Sequence, residues 1–108
     1  MEGKAKEAFS SFLKERLISD TLGTLNDIKR IFYQVMWLDS VRIYIEISPQ
    51  YDTLLKYCRG FEASIYPEGE ISILVLDEYG DVFITRRSAT EAAIKKAVEI
   101  FNEKYKEQ

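Results

Sequence analysis

The sequence predicts an α+β fold in which helices flank a four-stranded, mostly antiparallel sheet, with the element order α-α-β-α-β-β-β-α. Three observations predict it. Residues 41–48 alternate between apolar and polar, two glycine-containing turns bracket the apolar run 71–76, and both ends of the chain carry apolar residues at helical spacing. Because a chain of 108 residues suits one hydrophobic core, we expect a single domain over residues 1–108.

Three amphipathic helices are predicted, two at the start of the chain and one at its end. The first covers residues 2–18, with the apolar stripe Ala5, Ala8, Phe9, Phe12, Leu13 and Leu17. Thr24 is a capping residue that predicts the start of the second helix, whose stripe is Leu25, Ile28, Ile31, Phe32, Val35 and Met36, extended by Trp37 and Leu38. A capping box from Ser88 to Glu91 predicts the last helix, which runs to about residue 106.

The strict alternation over residues 41–48 predicts the first strand, with Val41, Ile43, Ile45 and Ile47 on one face. Ser48 and Pro49 then predict a short helix, because serine caps a helix and proline fits its first position. Gly60 would end that helix in left-handed geometry. Its apolar face would consist of Tyr51, Leu54, Leu55 and Cys58.

Two turns, at 66–70 and 77–81, divide residues 61–87 into a three-stranded meander. Each turn contains a glycine, which adopts positive φ without steric cost. This turn geometry pairs Ala63 with Ile73. One face of the meander then holds Phe61, Ala63, Ile65, Ile71, Ile73, Val75 and Phe83.

The opposite face of the meander ends in a second apolar patch, formed by Leu74, Leu76, Val82 and Ile84. A soluble monomer rarely leaves such a patch bare. We therefore expect these residues to form a self-association surface of a homo-oligomer, or to lie beneath the N-terminal helices.

Composition limits the function. The chain has no histidine and a single cysteine, Cys58, so catalytic Ser-His or Cys-His pairs and multi-thiolate metal sites within one chain are excluded. It also contains no nucleotide-binding loop and no metal motif. We expect a non-enzymatic protein with no cofactor and no metal. The net charge of −3 argues against a broad basic surface for duplex DNA.

Apolar residues make up 46% and charged residues 31% of the chain, a balance typical of a globular protein without a membrane span. The first residues lack the apolar segment of a secretion signal, so a cytoplasmic protein is expected. Lys and Glu are frequent while Asn and Gln are few, which is typical of proteins from hot environments.

Aromatic and basic side chains predict a nucleic-acid site. Exposed rings stack on bases while nearby Arg and Lys contact phosphates, and Tyr44 and Tyr66 lie on the polar faces of their strands. The predicted contacts are Arg42, Tyr44, Lys56, Arg59, Tyr66, Arg86 and Arg87. Two plainer interpretations stay open: half-buried tyrosines with hydrated hydroxyls, and arginines that acids such as Glu91 neutralise at the surface.

Over residues 24–105, this layout and composition resemble the Thermo-DBP-type single-stranded DNA-binding proteins of thermophilic archaea. The resemblance implies a cleft lined by aromatic and basic residues, and it assigns single-strand contacts to the exposed tyrosines and to Arg42, Arg86 and Arg87. Residues 71–105 are also similar to half of a TATA-binding-protein fold. We expect binding of single-stranded DNA or RNA without sequence preference. The alternative is a small protein-interaction or regulatory module that uses an apolar sheet face.

Overall fold

A computed structural model describes residues 2–16 and 27–105 of the chain. It contains three helices and one three-stranded antiparallel sheet with the strand order β1-β2-β3. The elements are α1 (Gly3–Arg16), α2 (Asp27–Ser40), β1 (Ile43–Asp52), β2 (Tyr57–Pro67), β3 (Ile73–Val75) and α3 (Arg86–Tyr105). The predicted four-stranded sheet and the predicted order α-α-β-α-β-β-β-α are therefore wrong. The predicted capping residue Thr24 lies outside the described residues.

One hydrophobic cluster joins the three helices to one face of the sheet, the inner face. Its centre is Trp37 of α2, whose ring lies 5.9 Å from that of Phe9 in α1 and 5.0 Å from that of Phe101 in α3. The small residues Ala89, Ala93 and Ala97 of α3 are fully buried. The inner face carries Ile43, Ile45, Ile47, Phe61, Ala63, Ile65, Ile73 and Val75. Trp37 thus links all three helices.

The predicted short helix after Ser48 is wrong, because β1 continues through this region to Asp52 and turns back as a hairpin. Pro49 lies opposite Phe61 at a position without ladder hydrogen bonds, so its missing N–H costs no pairing. Asp52 then organises the turn: its Oδ1 accepts from the amides of Leu54 at 3.0 Å and Leu55 at 2.9 Å. Local side-chain hydrogen bonding of this kind competes with helix formation.

The predicted fourth strand is also wrong. Phe83 exchanges backbone hydrogen bonds of 2.7 and 2.8 Å with Phe61 of β2, and it does not pair with β3. Between β3 and Phe83 the chain leaves the sheet in a loop, because the Asp77 carboxylate accepts from the amides of Tyr79 at 2.9 Å and Asp81 at 2.8 Å. The predicted third and fourth strands are therefore successive pieces of one sheet edge, both beside β2.

The register of the first turn differs from the prediction by two residues, since Ala63 pairs with Val75 rather than with Ile73. The amide of Glu68 donates to the carbonyl of Arg42 at 3.0 Å. This hydrogen bond keeps the end of β2 paired with the chain before β1, so the turn starts later than the predicted residue 66. The positive φ predicted for the turn glycines is confirmed, at 81° for Gly69 and 76° for Gly80.

The other sheet face, the outer face, carries Tyr44, Glu46, Ser48, Glu62, Ser64, Tyr66 and Leu74. Among the described elements, neither α1 nor α2 contacts β3, so the N-terminal helices do not cover Leu74. Ile84 is 89% exposed, and Ile71, predicted on the inner face, is 88% exposed at the turn before β3. The oligomer interface through Leu74, Leu76, Val82 and Ile84 stays a prediction.

None of the helices in residues 2–16 and 27–105 has the length and apolar content that crossing a bilayer requires.

Candidate nucleic-acid interface

The β1–β2 hairpin extends beyond the helices, and we call residues 50–59 the hairpin arm. The first residue of α3, Arg86, marks where the helix layer ends: its Nη1 donates to the carbonyl of Ile47 at 3.4 Å, and its Cζ lies 4.8 Å from the centroid of the Phe61 ring. No residue of the arm belongs to the hydrophobic cluster of the described chain. The arm is therefore a two-stranded ribbon that the core does not cover.

Large apolar and aromatic side chains are exposed on this arm. Leu54 and Leu55 at the tip are 89% and 69% exposed, and Tyr51 and Tyr57 are also exposed. Tyr57 pairs with Asp52 while Tyr51 pairs with Cys58, so the two rings belong to opposite faces of the ribbon. Rings held in this way present stacking surfaces on both faces of the arm.

Two cations accompany these rings. Lys56 lies in the turn, and Arg59 lies two residues after Tyr57 on the same strand, which puts it on the face of that ring. Neither Lys56 nor Arg59 forms an ion pair with another described residue. The carboxylate of Asp52, the acid of the arm, is engaged by the turn amides. Aromatic and cationic groups thus lie together on one ribbon face.

Three of the predicted site residues lie at the other end of the hairpin, on the outer face. The Arg42 guanidinium pairs with Glu68 at 3.1 Å, and the hydroxyl of Tyr44 donates to the same carboxylate at 3.3 Å. The hydroxyl of Tyr66 donates to Glu46 at 3.2 Å. Each tyrosine hydroxyl therefore donates to a carboxylate. We call this surface the tyrosine–glutamate face; it consists of Tyr44, Glu46, Glu62, Tyr66, Glu68 and Leu74.

Arg86 and Arg87 begin α3, at the root of the arm. Arg86 lies over Phe61 on the inner face rather than beside Tyr44 on the outer face. The Nε of Arg87 donates to Glu91 at 2.9 Å. This ion pair agrees with the plainer interpretation, in which Glu91 neutralises an arginine at the surface. The helix starts before the predicted capping box, because Thr85 Oγ1 accepts from the amide of Ser88 at 3.0 Å and acts as the cap.

The seven predicted residues thus fall into two groups that do not form one site. Arg42, Tyr44 and Tyr66 lie at one end of the hairpin, and Lys56, Arg59, Arg86 and Arg87 lie toward the other. Seven strand positions separate Tyr44 from Tyr51, which is about 23 Å along an extended strand. Sequence reasoning missed Tyr51 and Tyr57 because it placed both in the predicted short helix after Ser48, and residues 51–57 contain no Gly, Pro or Asn to indicate a hairpin turn.

No protein-family model, curated protein or solved structure matches this chain. The resemblance to Thermo-DBP-type proteins, and the one to half of a TATA-binding-protein fold, stay predictions.

A concave region lies between α2 and α3. It is a cleft of about 560 Å³ with Ile31, Ile94 and Val98 among its lining residues. Its lining cations, Arg30, Arg87 and Lys95, are matched by the acids Glu2, Glu91 and Glu99. Cations and acids therefore balance in number along this cleft. The described residues also contain no group of three or more His, Cys, Asp or Glu side chains that could hold a metal ion.

Proposed function

We propose that this chain is a non-catalytic protein that holds single-stranded DNA or RNA on its hairpin arm, without strong sequence preference. The observation that carries the proposal is the exposed ribbon on which Tyr57 and Arg59 share a face, with Lys56 at the turn and Tyr51 on the reverse. Aromatic rings stack on any base, and neighbouring cations contact the phosphates between bases.

The charge distribution favours the arm over the tyrosine–glutamate face. At the tyrosine–glutamate face, Arg42 is paired with Glu68, and both tyrosine hydroxyls donate to carboxylates that would repel a phosphate. At the arm, Lys56 and Arg59 lie outside any ion pair of the described residues, and Arg86 is at the root. Three phosphate contacts on a single strand predict a slope of log K against log salt of about −2.

The proposal is tested by fluorescence-anisotropy titration of labelled oligo-dT and oligo-U at low and moderate salt. Tyr57→Ala removes a stacking surface, so its affinity should fall by about 1–3 kcal/mol, or roughly 5-fold to 150-fold. Arg59→Ala should reduce the salt slope by about 0.7. The matched control is Tyr66→Ala, which removes a ring from the tyrosine–glutamate face and should not weaken the affinity. Absence of binding at low salt contradicts the proposal.

The backbone of Lys56 provides a separate test. Its φ of 59° lies in the left-handed region, where glycine is favoured and other residues are strained. Lys56→Gly should therefore raise the free energy of unfolding by up to about 1 kcal/mol while weakening oligonucleotide binding. Urea denaturation and the same titration measure the two effects, and Lys56→Arg serves as the charge-retaining control. A glycine variant that binds as tightly as the parent would show that Lys56 contacts no phosphate.

A second candidate function is supported by the tip of the arm. Leu54 and Leu55 are exposed aliphatic side chains, which cannot stack on bases but fill pockets on protein partners. The alternative is therefore a protein-interaction module that offers its arm to a different chain. A stoichiometric protein that co-purifies with the parent and is lost with Leu54→Ser favours this alternative, whereas co-purifying nucleic acid that Tyr57→Ala removes favours the first function.

A further inference from the structure

We propose that, without nucleic acid, the hairpin arm of one copy docks on the tyrosine–glutamate face of a second copy of this chain. The inference rests on the proposed function only for its regulatory consequence, which is that a single strand and a second copy compete for the same arm. The dimer contact itself follows from two surfaces of opposite charge that the fold leaves uncovered.

The first argument is charge complementarity. The arm carries Lys56 and Arg59 against the single carboxylate of Asp52, which the turn amides already engage. The tyrosine–glutamate face carries three carboxylates, Glu46, Glu62 and Glu68, against the single guanidinium of Arg42. Opposite potentials on two surfaces steer association and fix its orientation.

The second argument is apolar complementarity within those charges. The tip of the arm offers Leu54 and Leu55, and the face offers the half-exposed rings of Tyr44 and Tyr66 beside Leu74. Aliphatic side chains on aromatic rings, rimmed by ion pairs, make up the usual anatomy of a protein interface. Docking would also cover Leu74, one of the residues predicted to form an oligomer interface.

The third argument concerns reach. The arm and the Tyr44–Tyr66 pair lie at opposite ends of the same β1–β2 ribbon, with Glu62 between them opposite Ser48. The ladder is continuous apart from one irregularity between Pro49 and Tyr51. An extended ribbon cannot fold its tip back onto its own base, so the arm reaches such a face only on another molecule. When each of two copies docks its arm on the face of the other, both arms and both faces are covered. The contact then closes as a symmetric dimer.

The test exchanges the charges of the two surfaces and measures mass by sedimentation equilibrium without nucleic acid. The parent should sediment at twice the chain mass of 12.6 kDa. An arm variant, Lys56→Glu with Arg59→Glu, and a face variant, Glu46→Lys with Glu62→Lys, should each sediment as monomers because their surfaces repel. An equimolar mixture of the two variants should form a heterodimer, because each arm then meets a face of opposite sign. Circular dichroism melts check that both variants fold.

Two results would overturn the inference. One is a parent that stays monomeric at the highest soluble concentration. The other is a dimer that survives both charge reversals, which would place the contact on another surface. Failure of the dimer proposal can be distinguished from failure of the proposed function. The face variant should bind oligo-dT at least as tightly as the parent, since its arm is intact and no longer docked on a second copy. Heterodimer formation without any oligonucleotide binding would uphold the dimer and reject the proposed function.

Discussion

Trp37→Ala should destabilise the protein by about 3–5 kcal/mol, the usual cost of removing a fully packed tryptophan. Trp37 is 2% exposed, and its ring contacts those of Phe9 and Phe101, so one side chain links α1, α2 and α3. A domain of ordinary stability has about 5–15 kcal/mol in total. The variant should therefore be marginal at room temperature, as measured by urea denaturation followed by circular dichroism.

The matched control for Trp37→Ala is Phe32→Ala in the same helix. Phe32 is 60% exposed and has a ring contact with Tyr33 at 5.6 Å, so its removal should cost less than about 1 kcal/mol. Equal losses in the two variants would contradict the assignment of Trp37 to the centre of the core.

Gly60→Ala should cost about 2–4 kcal/mol, because it combines backbone strain with the loss of a strand contact. The φ of Gly60 is 149°, and an added Cβ would lie 2.5 Å from the carbonyl oxygen of Phe83 and 2.7 Å from Cγ2 of Val82. The segment that carries Phe83 must then move away, which breaks its two hydrogen bonds with Phe61. Hydrogen exchange of those two amides and denaturation of the variant measure the effect.

Gly80→Ala is the control for strain alone. The φ of Gly80 is 76°, and no atom lies within 4 Å of an added Cβ, so this substitution should cost only about 1–2 kcal/mol. If Gly60→Ala costs no more than Gly80→Ala, the close approach of Phe83 to Gly60 is not required for stability.

Local patterns predicted the parts of the fold that depend on neighbouring residues. The alternation from Ile43 to Ile47 identified β1, and the turn glycines Gly69 and Gly80 have the predicted positive φ. The inner positions of β2 were also recovered, since Ala63 and Ile65 are fully buried. Each of these signals lies within a few residues of the structure that it predicts.

Long-range pairing explains the errors. Residues 51, 54, 55 and 58 have the spacing of an amphipathic helix, but the pairing of β1 with β2 and the Asp52 turn place them on an exposed hairpin. Nothing local indicates that Phe83 bonds to Phe61 rather than to β3. In α2, Ile28 and Phe32 of the predicted stripe are 70% and 60% exposed, whereas Trp37 and Leu38 of the same stripe are buried. Register and packing against distant elements override local propensity here.

The candidate site shows the same division. The sequence identified the residue types, exposed tyrosines with arginine and lysine, but their convergence depends on face and register. Arg86 was predicted to belong to the same site as Tyr44, yet it lies over Phe61 because α3 begins on the inner face. Tyr51 and Tyr57 were assigned to a helix, so their exposure on a hairpin was not anticipated. The residue types of the candidate site could be predicted from the sequence, whereas their relative positions depend on the fold.

The central claim, that single strands bind on the hairpin arm, is tested most directly by mapping amide chemical shifts of the ¹⁵N-labelled protein during titration with oligo-dT. The predicted result is that the largest shifts occur in residues 50–59 and at Arg86. Tyr44, Glu46 and Tyr66 should shift only as far as dilution of the free protein to the monomer moves them, because the arm of the second copy leaves their face. Shifts concentrated at Tyr44 and Tyr66, with none on the arm, would contradict the claim and return the site to the tyrosine–glutamate face.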